Sequence, residues 1–197
     1  MSGKKKTVRR HAAGKPGGNV APTAVDRPTP GSAAQSSTRV DYYHDPQAPE
    51  PTSRKPSASV MVRDQNGRVL MLRRADNGLW TIPTGGLKKN ETIRQCGIRE
   101  CREETGIHIE VTGLVGVFSD PGHVIAYLRG GQITEVRQPV NICLHATPVG
   151  GTLTPDPREA TDAAWVDPDD LADLDIHPAL RARISHALTR PGEPYLD

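Results

Sequence analysis

The feature that most constrains the fold is a proline-free run of helix formers from Thr92 to Thr105, which stops at Gly106 and carries Glu100, Glu103 and Glu104. Glycine reaches left-handed backbone at no steric cost, so Gly106 marks a helix end. On a helix of 3.6 residues per turn, steps of three and four return near the starting face, and the three carboxylates crowd a sector of roughly 100°. Ile93, Gly97 and Cys101 lie on an adjacent apolar stripe that can dock the helix on a sheet, with Gly97 permitting close approach. Like charges at these spacings repel, so they are either left solvated or gathered around a cation. A hard ion that takes oxygen ligands, Mg2+ (or Mn2+), suits the second case.

The segments around this helix are short and rich in β formers. Ala58 to Arg63 and Arg68 to Leu72 flank an Asn66-Gly67 step and read as a hairpin. Leu79 to Ile82 is a short strand stopped by Pro83 and the Gly85-Gly86 pair, while Ile107 to Phe118, Val124 to Leu128 and Val140 to Ala146 are longer strand segments. Asp169 to Leu174 and Pro178 to Leu188 read as helices, the second with proline well placed in its first turn. Strands, one helix, more strands and a helical end predict the α/β class with a mixed sheet rather than strict βαβ alternation. No Gly-Lys-Ser or Gly-Lys-Thr follows the glycine pair, which excludes a P-loop, and no dinucleotide fingerprint is present.

Residues 1–56 differ in texture. Eight of the eighteen prolines fall within the first 57 residues, and up to residue 60 there are 10 Lys and Arg against 4 Asp and Glu, leaving 15 against 19 for the rest. A basic, Pro-rich, disordered tail before an acidic body is expected, with residues 191–197 as a C-terminal tail. The tail's charge could attract nucleic acid, but a solvated leader is the preferred reading. Asp41-Tyr42-Tyr43-His44 offers an alternative, an extended arm packed on the body or on a second subunit of a homodimer. Three cysteines at spacings unlike any zinc pattern, and no apolar run long enough to span a membrane, point to a cytoplasmic protein without a membrane partner.

The helix sits inside GGLKKNETIRQCGIRECREETGI: Gly85, five residues, Glu91, seven residues, Arg99-Glu100, then Glu103-Glu104, Gly106 and Ile107. This resembles the signature of the Nudix hydrolase family. Seven specified residues at fixed spacing arise by chance on the order of once in a million chains of this length, given background frequencies of about 6% each. The likeness extends to Trp80-Thr81-Ile82-Pro83 before the box and to Trp165-Val166 with Asp169-Asp170-Leu171 near the end, so it covers residues 57–190. It implies a Nudix-type α/β/α sandwich.

The resemblance also implies roles. Arg99 would orient the glutamates, Glu100, Glu103 and Glu104 would bind the divalent cation, a carbonyl near Gly85 would add a ligand, and Glu91 would be structural. Glu103 or Glu104 is the first choice for general base, with Glu135 and Glu159 as loop alternatives for base or ligand. Asn90 replaces a usual glycine but tolerates left-handed backbone; Thr84, Lys88 and Cys101 are further departures, none of which removes a ligand. Arg73, Arg74 and His123 are candidates for phosphate contact and Tyr127 for stacking on a base, whereas Trp80 and Phe118 are expected in the core. The implied reaction is water attack on the phosphorus of a nucleoside diphosphate linked to another group. ADP-ribose or a nucleotide sugar, and a nucleoside triphosphate, oxidised or not, stay open as this small-molecule partner. A nucleotide-binding regulatory domain without hydrolysis, and an isoprenoid diphosphate isomerase of the same fold, are the competing classes.

Overall fold

The structure, a computed structural model, describes residues 38–197. Along the chain come β1 (Thr38–Tyr43), β2 (Ser53–Val62), β3 (Val69–Arg74), β4 (Trp80–Thr81), β5 (Thr84–Gly86), α1 (Ile93–Thr105), β6 (Ile107–Phe118), β7 (His123–Arg129), β8 (Gln132–Gly151), β9 (Ala160–Val166), a 3₁₀ turn (Pro168–Asp173), α2 (Pro178–Thr189) and β10 (Tyr195–Leu196). The larger sheet runs β1-β7-β8-β2-β5, with β6 also paired to β8 and β10 to β6; β4-β3-β9 form a second, smaller sheet. Parallel pairing of β2 with β8 and of β10 with β6 makes the larger sheet mixed.

Strand β2 shows how the layers form. Side chains alternate across a strand, so Val60 and Val62 join Cys101, Ile107 and Leu144 in the core beneath α1. Met61 points the other way, into a core with Leu180, Ile184 and Ala187 of α2. A sheet thus lies between two helices, as the α/β/α expectation requires. Helix α1 docks closely because Gly97 has no side chain: a Cβ there would lie 2.8 Å from Val60 Cγ1 and 3.3 Å from Leu144 Cδ1. Gly97→Ala is therefore expected to destabilise the protein by about 1–3 kcal/mol in chemical denaturation, although the same change on an exposed helix face stabilises it. A more stable variant would show that the contact is loose.

Several sequence expectations are corrected. The Asn66-Gly67 segment does turn, with Gly67 at φ 82° and the Asp64 carboxylate accepting the Asn66 and Arg68 N–H groups. The flanking strands do not form a hairpin, however; they leave for different sheets and share only the Arg63–Val69 bridge. Residues 1–37 of the expected tail lie outside the described residues, but ordered pairing begins well before residue 57. Strand β1 pairs antiparallel with β7 from Thr38 to Tyr43, and β2 pairs with β8 from Ser53. At the other end, Tyr195 and Leu196, read as tail, add a short strand beside Gly116 and Val117. The Gly85-Gly86 pair, which stops the preceding short strand, itself pairs with Ser57 and Ala58. No helix among the described residues is long and apolar enough to cross a membrane.

Candidate active site

Helix α1 is fixed at both ends. Thr92 and Gln95 form a reciprocal capping box, and Gly106, at φ 74°, closes the helix with its N–H on Arg102 O. Asn90 holds a positive φ of 60°, so the asparagine does adopt the left-handed turn. The segment after β8 is pinned to the helix end by Thr154 N–H on Thr105 O (2.8 Å) and Asp156 N–H on Glu104 O (3.1 Å). That brings Glu159 to the carboxylates, close enough for its charge to raise the pKa values of Glu100 and Glu104.

The three glutamates differ in surroundings. Glu100 lies against Gly85, where any Cβ would overlap its carboxylate, and accepts from Arg99 Nη1 at 2.5 Å. Burial raises its pKa against the pull of that guanidinium. Glu103 is the exposed member, its side chain 47% accessible, and meets Arg99 at 3.0 Å and Lys88 at 3.6 Å. Glu104 is buried, accepts the Thr84 N–H (2.9 Å), and has no cationic side chain in ion-pair contact among the described residues. Burial first, then the charges of Glu100 and Glu159, push its pKa up to about 8.

Arg99 organises this group from one side. Its Nε and Nη2 grip Glu91 (2.6 and 2.9 Å), and Nη2 also donates to Gly86 O (3.2 Å). These hydrogen bonds hold the Glu91 carboxyl down near pKa 2, with the Lys88 N–H adding to the effect. Glu91 is thus an anchor for Arg99, which in turn reaches Glu100 and Glu103. One guanidinium and one distant ammonium do not neutralise four clustered carboxylates, and among the described residues Glu104 has no cation in contact, only the Arg74 charge at a distance. This donor set, all oxygen and short of positive charge, fits a hard divalent cation. Cys101, in contrast, is a buried thiol whose pKa burial raises to about 12, a packing residue and not a nucleophile.

Beside the glutamates, Gly85 and Gly86 form the rim of a cavity walled by β1, β7, β8 and α2. Arg74 and Thr81 line both this cavity and a neighbouring one that holds Glu104 and Glu159. Arg74, His123 and Tyr127 are therefore brought to the wall of this cavity. Arg73 is not: it is exposed and donates to Gly78 O (3.1 Å), away from both cavities. Tyr127 is covered on one face by the Arg137 guanidinium, 4.6 Å from the ring centroid. Glu135 departs from the loop reading, since it sits within β8 and is spent on Ser53, Lys55 and Arg137. Hydrogen bonds from Lys55 and Ser53 hold its pKa near 2. Phe118 is buried as expected, stacked on Tyr195, while Trp80 packs on the core and also lines the cavity.

Sequence reasoning missed Arg39, His177 and Arg183 and read Asp41 only as part of an extended arm; all four line this wall. Asp41 accepts from Arg39 (2.7 and 2.6 Å) and from His123 Nε2 (3.3 Å). Burial alone would raise its pKa, but bonds from His123 and Arg39 hold it well below the usual carboxylate range. Asp41, His123 and His177 each place one donor atom within 4.8 Å of the others. Both Asp41 oxygens already serve Arg39, and His177 Nδ1 accepts the Ala179 N–H (3.3 Å). A metal would have to break these bonds beside an arginine, so the trio acts as an anchor that ties β1 to the cavity wall.

Comparison with known proteins agrees with this geometry. The model of the NUDIX domain matches residues 53–188. A MutT-like protein of Streptomyces ambofaciens is 33% identical over 133 residues, 67% of this chain and 77% of the relative. An RNA pyrophosphohydrolase of Novosphingobium aromaticivorans is 30% identical over 135 residues, 61% and 81% of the two chains. The crystal structure of an ADP-ribose pyrophosphatase from Streptococcus suis shares the fold with a TM-score of 0.57 at 17% identity, covering 74% of this chain and all of that one. With the family model spanning well over half the sequence, and the carboxylate helix at its centre, the chain belongs to the Nudix hydrolase family.

Proposed function

We propose that this Nudix pyrophosphohydrolase cleaves the diphosphate of a nucleoside diphosphate linked to another group, with Mg2+ (or Mn2+) held by Glu100, Glu103 and Glu104 and by a carbonyl near Gly85. The observation that carries the reading is the convergence of these carboxylates beside the Gly85 turn, with Glu104 buried and without a cationic partner. When bound, the divalent ion supplies charge neutralisation for the diphosphate and acidifies water.

The protein's own groups do the rest. Arg99, anchored by Glu91, holds Glu100 and Glu103 in place directly. Arg74 meets phosphate oxygens at the junction of the two cavities, and Trp80 offers an apolar wall for a base. Glu103 or Glu104 takes the proton of the attacking water. A carboxyl with a raised pKa is the better base, which favours Glu104, although a neighbouring cation lowers that value. Glu159, within electrostatic reach of both Glu100 and Glu104, is the loop residue suited to assist. Three free, buried cysteines suit a reducing cytoplasm as the compartment.

A panel of nucleoside triphosphates, ADP-ribose and nucleotide sugars, scored by nucleoside monophosphate release, tests the reading. Turnover of at least one substrate should vanish with EDTA and return with Mg2+ or Mn2+. Activity that survives full chelation would remove the carboxylate helix from the mechanism.

A further inference from the structure

We infer that the cavity beside the glycine turn contains a second anion subsite, centred on Arg183, that binds a phosphate of the substrate lying beyond the bond being cut. The inference deepens the hydrolase reading above and rests on it. It selects nucleoside triphosphates, whose terminal phosphate lies distal to an α–β cleavage, over ADP-ribose and nucleotide sugars, whose distal group is a neutral sugar.

Five cationic side chains line this cavity: Arg39, Lys55, Arg74, Arg137 and Arg183. Four have protein counter-ions. Arg39 is paired with Asp41, Lys55 and Arg137 with Glu135, and Arg74 with Asp76. Arg183 has no carboxylate in ion-pair contact among the described residues, and its Nε is buried without a hydrogen-bond partner. The nearby acids are already committed, Asp41 to Arg39 and His123, and Asp197 to the Ser119 N–H and hydroxyl.

An arginine stays protonated even when burial lowers its pKa, as it does here, so a positive charge is held largely out of water with only the Asp197 charge, at a distance, to oppose the cost. Its contact with the Phe118 ring, 5.4 Å from the centroid, offsets little of that cost. A ligand phosphate would supply both the charge and the acceptors, and the planar fork of a guanidinium matches two of its oxygens. His177 adds a donor to the same wall. Its Nδ1 accepts from Ala179, which leaves the proton of the neutral ring on Nε2. Because Gly85, which backs Glu100, lines this same cavity, a group bound there belongs to the molecule whose diphosphate lies at the glutamates.

Binding and turnover test this separately. In EDTA, inorganic tripolyphosphate should bind the wild-type protein, measured by calorimetry, and bind Arg183→Gln about 10-fold more weakly, the loss expected for one charge-assisted contact. Arg183→Lys, which keeps the charge but loses the fork, should bind more weakly than wild type and more tightly than Arg183→Gln. With Mg2+, the ratio of kcat/KM for nucleoside triphosphate over that for ADP-ribose should fall about 10-fold in Arg183→Gln. Equal tripolyphosphate affinity in wild type and Arg183→Gln overturns the subsite, as does an Arg183→Lys variant no better than Arg183→Gln. A wild-type protein that hydrolyses nothing overturns the hydrolase reading instead, and the metal-free binding series still decides the subsite.

Discussion

Glu103→Gln is expected to lower turnover at least about 100-fold while shifting stability by less than about 0.5 kcal/mol. The two halves of this expectation come from the same observation. Glu103 is the exposed glutamate, touching only Arg99 and the more distant Lys88. Removing its charge deprives the fold of little, because exposed ion pairs contribute little. Glutamine keeps the length and one oxygen but gives up the negative charge that a divalent cation needs, and a 100-fold loss corresponds to about 2.7 kcal/mol of transition-state stabilisation. Steady-state kinetics with saturating Mg2+, beside a denaturation curve, measures both quantities. Raising the metal concentration should recover part of the loss if the defect is metal affinity. A variant with wild-type kcat and KM would take Glu103 out of the site.

The helix and its carboxylates were legible because both signals are local. Capping, the closing glycine and the three-and-four spacing all lie within about four turns of one helix. What was illegible is non-local. Val60, Met61 and Val62 are buried on both sides of the sheet, so β2 gives a continuous apolar run that says nothing about its partner. The nearby Asn-Gly turn then suggested β3, whereas β2 in fact pairs with β8, about eighty residues away by register. Strand β8 was read short because Pro139 interrupts it. The proline falls where β8 changes neighbours, after pairing with β7 up to Arg137 and before pairing with β6 from Asn141, a place where a missing N–H is tolerated. Strand β1 has no apolar period to detect. It is held by backbone pairing and by the Asp41 carboxylate, which pairs with Arg39 on its own strand and with His123 only once β1 meets β7, about eighty residues away.

Gly85→Ala should be nearly as damaging as loss of a carboxylate, and the reason is steric alone. Gly85 does not have a positive φ, so alanine can adopt its backbone. The added methyl, however, would overlap the Glu100 carboxylate, which Arg99 fixes from the other side at 2.5 Å. Either Glu100 swings away or the Gly85 turn withdraws, and both displace the groups assigned to the cation. Misplacing a catalytic constellation by about 1 Å costs on the order of 100-fold, which is the loss expected here. Gly86 provides the control, since a Cβ there meets nothing within 4 Å and Gly86→Ala should stay within about 3-fold of wild type. A double-mutant cycle isolates the cause: in an Glu100→Ala background the methyl has nothing to strike, and adding Gly85→Ala should cost less than about 3-fold more. If the two losses multiply instead, Gly85 acts through something other than its contact with Glu100, and the assignment of the turn as a wall of the metal site fails.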